Sequence, residues 1–249
     1  DWSSDVCSSD LSKGKMGSEV IKAVKATSDL ELVASIDQDD DFNIIKNSGA
    51  DVAVDFTTPD SVMKNIENLI NANISPIIGT TGFDDEKIEK VRNLSEKNNK
   101  LSVRIVPNFS VGAILMMRFA KMAAKFYESV EIIEYHHAQK VDAPSGTATR
   151  TAKIIADERK SNNLNKIPDS TISELPGARG TKVNGIPVHA VRMQGLVAHQ
   201  EVIFGTSGEN LTVRHDSFDR ASFMPGVLLA IRNIKKTSGL VIGIDDLIN

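Results

Sequence analysis

Cysteine is almost absent from this chain of 249 residues. The single cysteine, Cys7, cannot form an internal disulfide, and it lies in no spacing that is typical of metal ligands. Structural disulfides belong mainly to oxidising compartments, so a chain that cannot form one fits a reducing environment. We therefore expect a cytoplasmic protein that binds no metal.

Long apolar runs and long basic runs are also missing. The longest apolar stretches, 112–117 and 226–231, are far shorter than the roughly 20 residues that a membrane helix needs. The formal net charge is −4, and no run of Lys or Arg offers a face that could neutralise phosphates. We expect neither a membrane nor a nucleic acid as a partner.

Residues 1–11 differ in character from the rest of the chain. They read DWSSDVCSSDL, without an initiator Met, a basic segment or an apolar segment of the kind found in signal peptides. We interpret these residues as a foreign leader.

From Gly14 onward, apolar segments with strand character alternate with helical ones. Predicted helices follow Gly17 and Pro59 and cover 84–97. The predicted strands that alternate with these helices are 31–37, 51–56, 75–79 and 101–107. This alternation indicates right-handed βαβ crossovers and a parallel sheet.

The pattern changes after a predicted helix at 110–127. Longer strands are predicted at 129–137, 187–193, 197–204 and 211–215, with one helix at 148–160. This pattern predicts an α+β block with a mostly antiparallel or mixed sheet. The polar segment 161–184 contains several Gly and Pro residues and is predicted to be a mobile loop. A final helix is expected at 220–235, before a short apolar segment at 240–244.

Two short motifs suggest a dinucleotide. Gly14-Lys15-Met16-Gly17 precedes a predicted helix, and Asp37 ends the next strand 20 residues after Gly17. In dinucleotide-binding units this spacing places a carboxylate on the adenosine ribose, while the helix N-terminus binds the pyrophosphate. A simple tight turn is the alternative reading of the glycines. Gly79-Thr80-Thr81-Gly82 ends a further strand, where open α/β sheets bind ligands.

The segment 131–147, EIIEYHHAQKVDAPSGT, has the most chemical character. His136, His137 and Lys140 lie within five residues, and they combine a group that titrates near neutrality with a cation. Such a cluster suits the binding and protonation of an anionic substrate. Ser145-Gly146-Thr147 opens the next helix, where free backbone N–H groups can bind a carboxylate. The alternative is that Ser145 or Thr147 only caps the helix and that the histidines are half-buried strand residues.

Residues 136–148 match HHxxKxDAPSGTA and closely resemble the motif of the 4-hydroxy-tetrahydrodipicolinate reductase family of bacterial lysine and diaminopimelate synthesis. Other segments occur in the family's order: 14–17, Asp37, 55–57, 79–82, 106–110, 177–180 and 198–202. The resemblance extends from Gly14 to the last helix. It implies a Rossmann-like, parallel-sheet dinucleotide-binding domain made of 1–109 and 218–249. An α+β substrate-binding and oligomerisation domain, 110–217, is expected as an insertion.

The resemblance also implies roles for individual residues. It makes His136 the catalytic acid or base and Lys140 a proton donor. The substrate carboxylates would contact His137, Gly146 and Thr147. The cofactor would be bound by Gly14, Lys15, Met16, Gly17, Asp37, Gly79, Thr80, Thr81, Val106, Pro107, Asn108 and Phe109.

The expected reaction is the NAD(P)H-dependent reduction of 4-hydroxy-tetrahydrodipicolinate, a small dicarboxylate, to tetrahydrodipicolinate. Asp37 can accept hydrogen bonds from both ribose hydroxyls but repels a 2′-phosphate, and residues 38–41, QDDD, add no cation. We therefore predict a preference for NADH over NADPH. The resemblance further implies a homotetramer.

Two alternatives compete with this interpretation. One is another two-domain dehydrogenase, of the homoserine or aspartate-semialdehyde type. The second of these types needs a thiolate in its site, which Cys7, in the leader, is poorly placed to supply. The other alternative is a non-catalytic nucleotide-binding sensor, which the intact His136 and Lys140 argue against.

The sequence departs from the family pattern at its start. The family has an apolar first strand that runs into GxxGxMG, whereas here Leu11 replaces the first glycine and DWSSDVCSS replaces the strand. First strands of such sheets are buried on both faces and are normally rich in Val, Ile and Leu. We therefore expect this chain to bind NADH less tightly, and to be less stable, than a version with an apolar first strand.

Overall fold

The computed structural model describes residues 4–9, 14–37, 40–98 and 101–248. Its strands are β1 (Ser4–Ser9), β2 (Leu30–Ile36), β3 (Val52–Asp55), β4 (Ser75–Ile78), β5 (Ser102–Ile105), β6 (Ser129–His136), β7 (Thr181–Val183), β8 (Ile186–Arg192), β9 (Ala198–Thr206), β10 (Glu209–Ser217) and β11 (Gly239–Ile242). Its α-helices are α1 (Lys15–Lys25), α2 (Asn43–Lys46), α3 (Val62–Asn71), α4 (Asp85–Glu96), α5 (Val111–Ala123), α6 (Gly146–Ser161) and α7 (Met224–Asn233). Short 3₁₀ turns cover Arg220–Phe223, Ile234–Lys236 and Asp245–Leu247.

The chain divides into two compact units. Unit 1 consists of Asp1–Val111 with Arg220–Asn249, and unit 2 consists of Gly112–Asp219. The domains expected from the sequence, 1–109 with 218–249 and 110–217, have boundaries within a few residues of these units.

Unit 1 contains a six-stranded parallel sheet in the order β11-β5-β4-β3-β1-β2. The chain moves from β1 to β2 on one side and then returns to β3 on the other side of β1. In open α/β sheets a reversal of this kind creates a ligand-binding crevice at the carboxyl ends of the strands. Strands β3, β4 and β5 are buried at every position, as expected for a sheet covered on both faces.

The first strand is formed by the segment that we interpreted as a leader. Ser4–Ser9 pairs in parallel with β2 and β3, with an irregularity between Val6 and Cys7. Val6 is fully buried. The slot expected for an apolar first strand is therefore filled by this polar segment. Leu11 lies outside the described residues, so the predicted effect of its side chain on phosphate binding stays a prediction.

Unit 2 contains a five-stranded mixed sheet in the order β10-β9-β6-β8-β7, in which only β6 and β8 run parallel. Helix α6 covers one face, where Ile132, Val188, Val202 and Phe204 join a core with Ala152 and Ile155 of the helix. Because side chains alternate along a strand, Glu131, Ile133 and Tyr135 lie on the other face and are half-buried. The Rossmann-like domain and the second α/β domain that the sequence predicted are both present.

The segment 161–184 was predicted to be a single mobile loop, but Thr181–Val183 forms β7, an edge strand paired with β8. Two of the three residues of this strand, Thr181 and Lys182, are polar or charged, so the strand has little apolar character and the pairing with β8 decides its conformation. In the part of the chain that the structure describes, no helix is long and apolar enough to cross a membrane.

Candidate active site

The expected cofactor residues of unit 1 all follow carboxyl ends of its parallel strands. Asp37 follows β2, Gly79 follows β4 and Val106 follows β5, while the segment 14–17 opens α1. Hydrogen bonds continue the sheet to this edge, from Gly79 N–H to the Asp55 carbonyl (2.7 Å) and from Val106 N–H to the Ile78 carbonyl (2.7 Å). The topology of the sheet thus brings these sequence-distant segments to one edge.

The N-terminus of α1 is suited to an anion. Gly14 is its N-cap residue in an extended conformation, and within the described chain no side chain caps the helix. The first turn carries Lys15 and no acidic residue. Free N–H groups, the positive end of the helix dipole and a nearby cation together fit a pyrophosphate. Gly17, one turn further, is buried, which permits close packing of the helix.

Asp37 immediately follows β2 and is half-buried. Its backbone N–H donates to Asp40 Oδ2 over 2.6 Å, which fixes the start of the turn after the strand. The predicted NADH preference depends on Asp37 and on the residues that follow it, 38–41. Of these, Asp40 and Asp41 are described and acidic, whereas residues 38–39 lie outside the described residues.

A buried carboxylate organises the edge between β3 and β4. Asp55 accepts hydrogen bonds from Thr57 N–H (2.8 Å), Thr57 Oγ1 (2.6 Å), Asn65 Nδ2 (2.9 Å) and Thr80 Oγ1 (3.3 Å). Burial raises the pKa of Asp55, and these donors oppose the rise. The Thr80 hydroxyl also donates to the Thr57 carbonyl over 2.9 Å. This network holds Thr80 at the sheet edge.

Gly79, the residue before Thr80, packs directly against an aromatic ring. A Cβ at Gly79 would lie 2.2 Å from the ring of Phe56, so only glycine fits there without displacement of the ring. Phe56 in turn packs on Phe109, with ring centroids 5.4 Å apart. Asn108 Oδ1 accepts a hydrogen bond from Ser110 N–H over 2.8 Å and so shapes the turn after β5. Packing therefore joins the segments 79–81 and 106–109 into one surface.

The central feature of unit 2 is a buried carboxylate beneath His136. Glu134, on β6, is fully buried and accepts two hydrogen bonds from Arg192 of β8, from Nη1 to Oε2 (2.8 Å) and from Nη2 to Oε1 (2.7 Å). His136 Nδ1 lies 2.5 Å from Glu134 Oε2, and Ser145 N–H donates to Oε1 over 3.1 Å. Glu134 thus contacts both the histidine and the start of α6.

These donors determine the charge of Glu134. Burial by itself raises the pKa of a carboxyl group, but the hydrogen bonds from His136, Arg192 and Ser145 outweigh burial and lower the pKa of Glu134 to about 2. The group is therefore ionised at neutral pH and can only accept hydrogen bonds. It follows that Nδ1 of His136 carries the hydrogen, which leaves Nε2 as the nitrogen that can exchange a proton.

Lys140 lies in the turn that follows β6. The strand ends at His136, so His137 is no longer bound by strand alternation, and the His137 carbonyl accepts a hydrogen bond from Lys140 N–H (3.1 Å). The Lys140 ammonium lies 2.6 Å from Asp142 Oδ1, and this contact lowers the pKa of Asp142. The Asp142 carbonyl accepts from Arg192 Nη2 over 2.7 Å. Arg192 is therefore bound both to the buried carboxylate and to this turn.

The N-terminus of α6 follows the cis peptide bond Ala143–Pro144. Ser145 is the N-cap, and its Oγ accepts a hydrogen bond from Ala148 N–H (3.1 Å). Gly146 is exposed, and a Cβ there would meet no described atom within 4 Å, so the space beside the helix end is open to a ligand. Ser145 therefore caps the helix, as the alternative interpretation expected, and carboxylate binding at the adjacent helix end stays a prediction.

Glu134 and Arg192 are not among the residues predicted from the sequence. A signal for Glu134 was available, because it lies two residues before His136 and therefore shares its face of the strand. Arg192 gave no local signal, because it is 58 residues from Glu134 and reaches it through the parallel pairing of β6 with β8. Within the described residues, no group of three or more His, Cys, Asp or Glu side chains is arranged to bind a metal.

Both units match sequence profiles of one family. Residues 12–109 match the dihydrodipicolinate reductase N-terminal family, and residues 112–248 match the dihydrodipicolinate reductase C-terminal family. The chain belongs to the dihydrodipicolinate reductase family. This membership confirms the family, fold and function assigned from the sequence, a nicotinamide-dependent oxidoreductase of lysine and diaminopimelate biosynthesis.

Individual relatives are similar over nearly their whole length. The chain is 54% identical to the 4-hydroxy-tetrahydrodipicolinate reductase of Mycobacterium marinum, over 95% of this chain and 96% of that protein. It is 52% identical to the enzyme of the same name from Corynebacterium efficiens, over 94% of each chain. A dipicolinate-bound dihydrodipicolinate reductase from Paenisporosarcina sp. TG-14 superposes with a TM-score of 0.85 at 40% identity, over 98% of this chain and 99% of that one.

Proposed function

We propose that this member of the dihydrodipicolinate reductase family reduces 4-hydroxy-tetrahydrodipicolinate to tetrahydrodipicolinate with NAD(P)H. The reaction adds a hydride and a proton to the substrate and releases water. The observation that carries the proposal is the position of His136 at the end of β6, where it is hydrogen-bonded to ionised Glu134. Glu134 also accepts a hydrogen bond from the backbone N–H of Ser145, the N-cap residue of α6. A proton-exchanging imidazole and an open helix N-terminus in one short segment suit an anionic substrate.

Unit 1 fits a nicotinamide dinucleotide. The N-terminus of α1, with Gly14, Lys15, Met16 and Gly17, would bind the pyrophosphate, and Asp37 would bind the adenosine ribose. The surface formed by Gly79, Thr80, Thr81 and the segment 106–109 would bind the nicotinamide end. The bound cofactor supplies the hydride. The contribution of the chain is to orient the two reactants and to exclude competing arrangements.

The substrate-binding residues would be His137, Gly146 and Thr147. His137 directly follows β6, the strand that carries Glu134. Gly146 and Thr147 begin α6, whose N-cap residue Ser145 is hydrogen-bonded to Glu134. The backbone N–H groups at the start of α6 would donate to a carboxylate. His136 would act as acid or base through Nε2, and Lys140 would supply a proton near the reacting carbon. The relative from Paenisporosarcina binds dipicolinate, a planar dicarboxylate, which supports a small dicarboxylate as the substrate class.

The cofactor preference follows from Asp37. A carboxylate there accepts hydrogen bonds from the 2′- and 3′-hydroxyls of NADH but repels the 2′-phosphate of NADPH. Asp40 and Asp41, close to it in sequence, add negative charge. We expect NADH to be preferred. A location in the cytoplasm stays a prediction from the cysteine content.

A homotetramer is proposed for the assembly. Its support is the sheet face of unit 2 opposite to α6, where Ile133 and Tyr135 of β6 and Ile203 of β9 are half-buried in the single chain. Strands that present such side chains away from their own core favour association with a second copy.

The decisive experiment is a turnover assay in which the absorbance of the reduced cofactor is followed with freshly prepared 4-hydroxy-tetrahydrodipicolinate. We expect oxidation of the cofactor only when this substrate is present, with a higher kcat/KM for NADH than for NADPH. Parallel reactions with homoserine and with aspartate semialdehyde test the competing dehydrogenases. Cofactor binding without turnover of any of these substrates would instead identify a sensor. A kcat/KM ratio that favours NADPH by about tenfold would overturn the role of Asp37.

A further inference from the structure

We propose that the buried Glu134–Arg192 pair is a positioning element for catalysis, which sets the tautomer of His136 and fixes the adjacent substrate-binding turn at the same time. This inference rests on the proposed function and extends it to two residues beyond those that the family resemblance implied.

The two oxygens of the Glu134 carboxylate bind different elements. Oε2 is hydrogen-bonded to Nδ1 of His136, and Oε1 accepts a hydrogen bond from the Ser145 N–H. One rigid carboxylate therefore determines where the imidazole and the start of α6 lie. A carboxylate that is fully buried and bound by several donors has little freedom to rotate. Displacement of Glu134 would therefore move the proton-exchanging group and the carboxylate-binding turn together.

The charge of Glu134 depends on its hydrogen-bond partners. A buried carboxylate without a partner would be neutral at physiological pH, because burial disfavours its ionised form. The hydrogen bonds from His136, Arg192 and Ser145 together keep Glu134 ionised, and Arg192 also binds the Asp142 carbonyl. If Glu134 were protonated or amidated, it could donate a hydrogen bond, and Nδ1 of His136 would no longer be required to carry the hydrogen.

The described strand and turn beside His136 offer no equivalent carboxylate. Strand β9 places Ala198 opposite His136 and Gln200 opposite Glu134, and neither is acidic. The described acidic group in the turn, Asp142, is engaged by Lys140. Among the described residues around the ring, Glu134 is thus the group that accepts from Nδ1.

A closely matched control lies on the same strand. Glu131, three residues earlier and on the opposite face, also accepts hydrogen bonds from an arginine, Arg179, and from a histidine, His189. Glu131→Gln therefore removes a carboxylate with the same kinds of partner at a distance from His136.

The experiment compares Glu134→Gln, the double variant Glu134→Gln/Arg192→Met, and the control Glu131→Gln, each as the full chain. Loss of one partner of a buried ion pair is strongly destabilising, whereas replacement of both partners by uncharged groups is often tolerated. The double variant therefore keeps the test valid if the single variant does not fold. The readouts are kcat and KM, the folded fraction by circular dichroism, and the tautomer of His136 by proton–nitrogen correlation NMR.

We expect Glu134→Gln and the double variant to lose roughly 30-fold or more in kcat per folded molecule, the scale of impaired general acid–base catalysis. The neutral His136 ring should change from the form protonated at Nδ1 to a mixture, while the KM for NADH stays close to that of the parent. Glu131→Gln should retain the parent kcat and tautomer.

A kcat per folded molecule within about threefold of the parent, or an unchanged tautomer in the folded variants, would overturn the positioning role. Failure of the proposed function has a different signature, because the parent itself would then not turn over 4-hydroxy-tetrahydrodipicolinate. In that case the NMR comparison would still decide whether Glu134 sets the His136 tautomer.

Discussion

His136 and Lys140 lie at the end of β6 and in the turn that follows it, and both contact acidic partners, Glu134 and Asp142. We expect His136→Gln and Lys140→Ala each to lower kcat by roughly 10²-fold, because neither replacement can transfer a proton. NADH binding and the melting temperature should stay close to those of the parent. Steady-state kinetics and thermal unfolding measure both effects.

The matched control for Lys140 is Lys153→Ala, which removes an exposed lysine from α6. It should leave kcat unchanged. Unfolding of His136→Gln or Lys140→Ala would show that the side chain has a structural role. An equal loss of kcat in Lys153→Ala would show that the effect of Lys140→Ala is nonspecific.

Thr147 tests the substrate-binding role of the α6 N-terminus. A hydroxyl that binds a substrate carboxylate in both the ground state and the transition state contributes mainly to KM. Thr147→Val should therefore raise the KM for the dicarboxylate roughly tenfold with little change in kcat. Thr149→Val, two residues further along the same helix, is the control and should leave KM unaltered. Equal KM values for both variants would contradict the role of Thr147.

At the scale of elements, the polar segment between α6 and β7 is attached to the sheet through Arg179. Arg179 Nη2 donates to Glu131 Oε1 on β6, and its Nε lies 3.6 Å from Asp169 Oδ2. Gly180 has a φ of +67°, and a Cβ there would lie 2.5 Å from the Val188 carbonyl oxygen, so the chain passes close to β8 at a position that favours glycine.

We expect Arg179→Ala to release this segment, because it removes the contacts to both Glu131 and Asp169. Limited proteolysis within 168–178 should become roughly tenfold faster, since cleavage reports local opening. Lys182→Ala serves as the control, because Lys182 Nζ lies 3.9 Å from Asp169 Oδ2 and contributes a weaker contact. Equal cleavage rates for the two variants would show that Arg179 does not hold the segment.

At the scale of the whole molecule, Glu134 links stability to pH. Its pKa is lowered from 4.5 to about 2 in the folded chain, so folding favours the ionised form. The resulting stabilisation is fully present above about pH 4.5, decreases as the pH falls, and is lost near pH 2. At neutral pH the lowered pKa corresponds to ~3 kcal/mol of stabilisation of the folded state.

The measurement is the free energy of urea unfolding of the parent and of Glu134→Gln as a function of pH. The difference between the two proteins should be constant between about pH 5 and pH 7 and should shrink below that range. Subtraction of the variant removes the contributions of the other carboxylates. A difference that does not change with pH would contradict the lowered pKa of Glu134.

The proposed assembly is tested on the open sheet face of unit 2. Ile133 is opposite Glu201 on β9 and His189 on β8. Ile133→Asp places a carboxylate beside Glu201 and should dissociate the tetramer, because a buried like-charge contact is unfavourable. Light scattering after size-exclusion chromatography measures the mass. A monomeric parent, or an Ile133→Asp variant that remains tetrameric, would contradict this interface.

Three features could be identified from the sequence because each depends on residues that are close together in the chain. They are the alternation of strands and helices, the glycine motif and the segment 136–148. Hydrophobic periodicity reports local burial, and the motif places His136, Lys140 and Gly146 within eleven positions. The strand predicted at 211–215 was found but is longer, because pairing with β9 extends it to Glu209–Ser217. Strand β7 was missed, since only its contact with β8 makes it a strand.

The linear sequence was enough to establish the alternation of strands and helices and the family, and to nominate His136 and Lys140 as candidate proton-transfer residues, since these are properties of local pattern and residue type. Tertiary structure alone decided that a polar segment fills the first strand position, between β2 and β3. It also decided that Arg192 meets Glu134 beneath His136, because a parallel pair of strands brings together side chains 58 residues apart. The charge of Glu134 is likewise a tertiary property, because donors from β6, β8 and the start of α6 must converge on one buried carboxylate to keep it ionised.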